Sequence, residues 1–397
     1  MNPRPVAVVV QRYGSDLVGG SETLAREYAE RLLGRGFLVT VYTSTARDYV
    51  TWRSEYKAGE TIERGVCVKR FAPVHERDLD AFNALAEPMY GRKTSPEDER
   101  AFLDSQGPCV PALVAALRGE AARYEAILFF TYLYYPTVEG IRALGEKAVF
   151  IPTAHDEPPL RFAMYKEIFE RVRSYAFCSA PEARLSASRF DLSRASQAVV
   201  GIGVEPPVEP DVEEFKILRG IERPYLLYAG RIDAGKGCDE MLRFYETAQT
   251  SVMGCPDLYL IGKLAMDLPN IPRLRHLGFV SEDDKRAAMK GAQALICPSP
   301  YESLSITLLE SMALGVPVLA SGRSEVLVDH CLKSDAGLVY ASADEFEETV
   351  RTLVLRDDLR RALGERGRRY SLTEFSWDRV LDRLIRQIDA VSPPISP

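Results

Sequence analysis

Arg231 and Lys236 stand five positions apart in the run Ala229-Gly230-Arg231-Ile232-Asp233-Ala234-Gly235-Lys236-Gly237. A planar guanidinium fork and a compact ammonium in a glycine-bearing loop suit a diphosphate, because glycine lets the main chain approach the ligand while the two cations neutralise it. The loop follows the apolar run Tyr225 to Tyr228 and precedes a helical stretch, whose N-terminus favours anions. The same composition also describes a solvated basic turn. Farther along, Pro298-Ser299-Pro300-Tyr301-Glu302-Ser303-Leu304-Ser305 leads into Ile306-Thr307-Leu308-Leu309-Glu310, with seven residues between the two glutamates. Glu302 falls in a loop after an apolar strand, and Glu310 on the following helix in otherwise apolar surroundings. A carboxylate there needs a partner, which ribose hydroxyls or a backbone amide would provide. An acidic pair at this spacing is by itself more often structural; behind a basic loop it becomes a ligand signal.

The elements that must position these groups follow from length and periodicity. A chain of 397 residues exceeds what one core usually holds, so two domains are expected. Hydrophobic residues at 46% and charged residues at 27% indicate an ordinary globular protein. A formal charge of -7 argues against a nucleic-acid binder, which needs a basic face. The seven cysteines show no C-x-x-C pair, so neither a disulfide framework nor a zinc site is expected. The opening run Val6 to Val10 is too short for a signal core or a membrane span.

Val6 to Val10 reads as a strand, followed by a loop with Gly14, Gly19 and Gly20, a helix over Glu22 to Leu33 and a strand over Phe37 to Thr43: a βαβ unit with a parallel sheet. Further strands are expected at Ala126 to Phe130 and Ala148 to Pro152, and helices at Pro111 to Arg123 and Arg161 to Arg173. The Pro- and Gly-rich run from Gly201 to Pro210 reads as the interdomain linker. A second α/β series follows, with strands at Tyr225 to Tyr228, Leu258 to Ile261, Leu277 to Val280, Ala294 to Cys297 and Pro317 to Ala320. Its helices are expected near Cys238 to Gln249, Glu282 to Lys290 and Ile306 to Leu314. The predicted architecture is α/β, two Rossmann-like doubly wound domains facing a cleft, with ligands at the carboxyl ends of the strands. The first domain spans 1-203 plus a closing amphipathic helix over Trp377 to Ile388 (377-390 as a segment); the second spans 204-376. The polar stretch Gly91 to Gln106 reads as a solvated helix pair, and Tyr132, Tyr134 and Tyr135 as packing residues rather than a sugar platform.

In these motifs the chain resembles the retaining glycosyltransferases of family 4 (group 1), which share the GT-B fold, over nearly its whole length. The resemblance implies that the G-R-x-x-x-x-K-G loop, through Gly230, Arg231 and Lys236, binds the donor diphosphate. It implies that Glu302 faces the transferred sugar, that Glu310 holds the nucleotide ribose, and that main-chain amides of Ser303, Leu304 and Ser305 meet the donor. Gly19 and Gly20 match the family's early glycine loop beside phosphates and acceptor. His155, in the loop after the strand beginning at Ala148, falls where many members carry a histidine near the reacting centre. The closing helix is expected to cross back to the first domain and couple the two halves. Two stretches depart from the family: Ser303-Leu304-Ser305 replaces a glycine-rich segment, and Ser321-Gly322-Arg323-Ser324-Glu325 replaces a glycine-pair version.

The expected reaction is transfer of a hexosyl group from a UDP- or GDP-sugar to a glycan or lipid-linked acceptor, without metal or other cofactor, since no D-x-D accompanies the site residues. The expected setting is cytoplasmic, reaching a membrane only peripherally at its inner face, in bacterial cell-surface polysaccharide or glycoconjugate synthesis. A nucleotide-sugar epimerase of the same fold and a catalytically degenerate sugar-binding protein are the rival readings. A nicotinamide dehydrogenase lacks its G-x-G-x-x-G after the first strand.

Overall fold

The computed structural model describes residues 4-17 and 19-392. Two compact units emerge. One runs to Gly201 and resumes at Val380; the other is Ile202–Arg379.

The sheet of the first unit contains β1 (Arg4–Val9), β2 (Phe37–Ser44), β3 (Gly59–Glu63), β4 (Val66–Phe71), β5 (Ala126–Phe130), β6 (Ala148–Ile151), β7 (Ser174–Phe177) and β8 (Ser196–Val199). Their order is β3-β4-β2-β1-β5-β6-β7-β8. All neighbours are parallel except the hairpin pair β3 and β4. β5 and β6 are buried at every position, which is why they read as unbroken apolar runs: helices cover both faces of a parallel sheet. The helix Gly20–Gly34 buries Leu24, Tyr28 and Leu32 at the four-residue spacing of an amphipathic stripe.

The second unit holds β9 (Tyr225–Ala229), β10 (Asp257–Ile261), β11 (Leu274–His276), β12 (Ala294–Cys297), β13 (Val318–Ser321) and β14 (Gly337–Tyr340), in the order β11-β10-β9-β12-β13-β14. Its pairs are all parallel. β9 and β12 are therefore neighbours, and the loops leaving their carboxyl ends start side by side.

Three expectations need correction. The strand expected at Leu277 to Val280 lies earlier, at β11; Gly278 takes a φ of +73° that ends extended pairing, and Phe279 is exposed. The stretch Gly91 to Gln106 forms a single helix, Pro96–Gln106, with a Ser95/Asp98 capping box. It is no solvated pair: buried Glu99 accepts hydrogen bonds from Ala163 N at 2.8 Å and Met164 N at 2.7 Å, so its carboxylate caps the helix Ala163–Arg171. The helix expected from Pro111 to Arg123 ends at Glu120 and continues as a 3₁₀ turn. Tyr132, Tyr134 and Tyr135 are buried.

The closing helix, Trp377–Asp389, starts in the second unit and ends in the first. Within the second unit the Trp377 indole fills the space beside Gly203, where a Cβ would come within 2.2 Å of it. Within the first, Ser174 donates to Gln387 O at 2.8 Å and Arg4 pairs with Asp389 at 2.7 Å.

Candidate active site

In the second unit, β9 delivers Gly230 and Arg231 into a loop whose shape depends on Asp233. One oxygen of Asp233 accepts Lys236 N at 2.8 Å, capping the 3₁₀ turn Ala234–Lys236, and the other pairs with the Arg231 guanidinium. One carboxylate thus orders both cations. The turn runs into the helix Cys238–Ser251 through Gly237, whose φ is +74°. A Cβ on Gly237 would lie 2.4 Å from Pro298 O, so only glycine lets the basic loop press against the segment leaving β12. That contact brings the two motifs together: Lys236 Nζ lies 2.8 Å from Glu302 Oε1. Glu302 is the more enclosed partner, with 18% of its side chain exposed against 36% for the lysine.

Glu310, on the helix Ile306–Ala313, has a partner that the sequence does not announce. Lys285 donates to its Oε1 at 3.1 Å and also pairs with Glu282 at 3.0 Å. Burial raises the Glu310 carboxyl above its ordinary range, against the pull of Lys285. Burial works to lower Lys285, but Glu310 and Glu282 outweigh it and keep the ammonium charged. Glu310 Oε2 is shut off from solvent and makes no hydrogen bond, an unsatisfied buried acceptor of the kind that calls for a partner. Lys285 and Asp233 are the site neighbours that sequence reasoning missed. Asp233 carried a signal, lying between the two cations; Lys285 carried none, since it sits on a different helix.

Ser303, Leu304 and Ser305 form the turn between β12 and the helix. Leu304 is buried, while both serines stay partly exposed. Ser305 adopts a φ of +67° at the N-cap and makes no side-chain cap, a conformation that glycine takes without strain. A β-branched residue resists that conformation. Ser305→Val is expected to destabilise the protein by about 1–3 kcal/mol, read as a lowered melting temperature, while Ser305→Gly leaves the melting temperature unchanged or raises it.

In the first unit, Gly19 and Gly20 begin the helix Gly20–Gly34 beyond the carboxyl end of β1. Gly19 is extended rather than left-handed, and a Cβ there would meet Glu22 Oε2 at 2.2 Å, so a larger residue requires that carboxylate to shift. Glu22 is buried and accepts at Oε1 from Arg12 Nη2 at 2.6 Å, Arg12 Nε at 2.9 Å and Gln11 Nε2 at 3.0 Å. Arg12 reaches on to Arg47 O at 2.8 Å. This buried charge pair spans the glycine loop from both ends and holds its shape, a role not legible from spacing alone. His155 is partly buried in the loop after β6, with Nε2 3.5 Å from Glu157 Oε2. The other three histidines contact their own surroundings: His75 faces Glu76 O at 3.2 Å, His276 faces Gly262 O at 2.8 Å and His330 faces the Tyr370 hydroxyl at 3.0 Å.

Known proteins share this architecture. A structure of Anabaena HepE in complex with UDP superposes with a TM-score of 0.71 at 13% identity, covering 98% of this chain and 100% of that one. The chain has the GT-B fold. Residues 211–370 match the family of glycosyl transferases group 1. The second unit is similar to the group 1 glycosyltransferases. Among curated proteins, the alpha-maltose-1-phosphate synthase of Mycolicibacterium smegmatis is 28% identical over 213 residues, which is 47% of this chain and 54% of that protein. A GDP-mannose-dependent alpha-(1-6)-phosphatidylinositol monomannoside mannosyltransferase of Mycobacterium tuberculosis is 30% identical over 182 residues, 41% of this chain and 46% of that protein. The chain spans about half the length of the curated relatives it matches.

Proposed function

We propose that this protein is a retaining, metal-independent glycosyltransferase of family 4 that moves a hexosyl group from a UDP- or GDP-sugar to a glycan or lipid-linked acceptor. The observation that carries the reading is the 2.8 Å approach of Lys236 to Glu302 at the ends of adjacent strands, which sets a cation suited to phosphate beside a carboxylate suited to a sugar. Arg231 and Lys236, with the N-terminus of the helix Cys238–Ser251 behind them, stabilise the charge that grows on the diphosphate as the anomeric bond breaks. These groups take the role that a metal ion fills elsewhere. Glu310 accepts a ribose hydroxyl, and the main chain of Ser303, Leu304 and Ser305 meets the donor. Glu302 orients the sugar and balances its developing positive charge. On the same face as the diphosphate, a departing phosphate oxygen receives the acceptor proton, so the new bond keeps the old configuration. Gly19, Gly20 and His155 are assigned to the phosphate and acceptor side.

Relatives that use GDP-mannose or were solved with UDP support a nucleoside diphosphate sugar as donor. Among the described residues no helix is long and apolar enough to cross a membrane. We place the enzyme in the cytoplasm, touching a membrane peripherally, in synthesis of a bacterial cell-surface polysaccharide or glycoconjugate.

The test is a thermal-shift series with UDP, GDP, ADP, TDP and CMP and their common sugar conjugates. A ligand at about 100 times its Kd stabilises the folded state by about 2.7 kcal/mol, so one diphosphate is expected to raise Tm clearly, and Arg231→Ala to abolish that rise. No shift with any nucleotide overturns the donor site.

A further inference from the structure

Glu182 lies in the first turn of the helix Ala180–Arg189, and its side chain is enclosed, with the residue only 1% exposed. Its carboxyl group serves two loops rather than its own helix. Oε1 accepts from Ala154 N at 2.7 Å, and Oε2 accepts from Cys178 N at 2.5 Å. Ala154 immediately precedes His155 in the loop leaving β6; Cys178 begins the loop leaving β7, the next strand in the sheet. Buried N–H groups outside strand pairing must find an acceptor, and one carboxyl group supplies both strand ends.

The loop it holds is strained. Thr153, two residues before His155, has a φ of +51°, and Thr131 at the end of β5 has +62°; Thr153 Oγ1 donates to Thr131 Oγ1 at 3.1 Å. β-branched residues enter this region only where the surroundings over-determine them. We infer that Glu182 is a positioning residue which clamps the main chain ahead of His155 and so sets where the imidazole stands. The inference rests on the role given to His155 above.

The clamp is sensitive to protons. Burial pushes the Glu182 carboxyl up to about 8, against the N–H groups of Cys178, Ala154 and Ser179, which favour the ionised form. The groups that face it are the Tyr28 hydroxyl, from the helix Gly20–Gly34, and the Cys178 thiol. Both are themselves pushed far up by burial and stay neutral through this range. Protonation turns one accepting oxygen into a donor, so one of the two N–H bonds weakens below about pH 8 and is restored above it.

The test uses the intact protein in solution NMR. The chain has four histidines, so His155→Gln assigns the His155 ring signal. Between pH 5.5 and 9.5 that signal is expected to show an inflection near 8 that follows the Glu182 carboxyl, and Glu182→Gln to remove it. Should Glu182→Gln fail to fold, the amide signals of Ala154 and Cys178 in the unsubstituted protein provide the same reading, because hydrogen bonding to the carboxyl group makes them share an inflection near 8. An inflection near 8 in the His155 signal that survives Glu182→Gln, or amides of Ala154 and Cys178 with no shared inflection, overturns the clamp. The Tm shift produced by a nucleoside diphosphate is expected to persist in Glu182→Gln. That separates failure of this inference from failure of the donor site.

Discussion

Lys236→Ala is expected to lower kcat by about 10²- to 10³-fold, the usual loss when one preorganised group aimed at developing charge is removed. The loss should fall on turnover more than on folding. Lys236 is partly exposed and its ammonium contacts Glu302 rather than the core, and the turn that presents it is capped by Asp233 through the main chain, which alanine retains. Melting temperature should therefore change little without ligand, whereas the rise produced by the diphosphate should shrink. Lys236→Arg restores charge but not shape: a guanidinium at this place meets Glu302 as a fork rather than a point, so partial recovery is expected. Steady-state kinetics with the donor found by thermal shift checks the loss and the partial recovery, and melting curves with and without the diphosphate check the rest. A Lys236→Ala enzyme with unchanged kcat would remove the lysine from the chemistry.

Glu302→Gln should separate donor binding from turnover. The Glu302 carboxylate engages Lys236 at 2.8 Å, so an arriving diphosphate must share or displace that contact. Removing the negative charge while keeping the side-chain shape frees the ammonium. The free nucleoside diphosphate is then expected to bind as tightly or a few-fold more tightly, in keeping with about 0.2–1 kcal/mol for a partly exposed ion pair. Turnover should fall by at least about 10²-fold, because the sugar loses the carboxylate that faces its developing charge. Isothermal titration with the diphosphate, paired with a turnover assay, reads both effects. Weaker diphosphate binding would mean that Glu302 supports the phosphate loop rather than competing for its lysine.

Much of the molecule was legible before its structure because the relevant signals are local. Strands buried on both faces appear as unbroken apolar runs, so β5, β6, β9 and β12 fell close to their expected positions. Helix boundaries followed from glycine and from four-residue spacing. Where a single local cue was overread, the expectation missed: Leu-Gly-Phe-Val at 277–280 has strand composition, yet the left-handed Gly278 breaks it. The charged run from Gly91 to Gln106 read as solvent-facing because nothing local shows that Glu99 caps a distant helix.

By itself the sequence determined the α/β class, the tandem of parallel sheets, and the residue types available for a diphosphate and a sugar. These depend on periodicity and on chemistry carried within a few positions. Only the tertiary structure decided which charges meet. Lys236 reaches Glu302 because β9 and β12 are adjacent and Gly237 permits close contact; Glu310 meets Lys285 across two helices; Arg12 and Glu22 close around the glycine loop; Glu182 holds the loop of His155. Pairings of this kind depend on strand order and on the cost of leaving a buried charge or N–H group without a partner. Both are properties of the packed chain and leave no trace in the spacing of its residues.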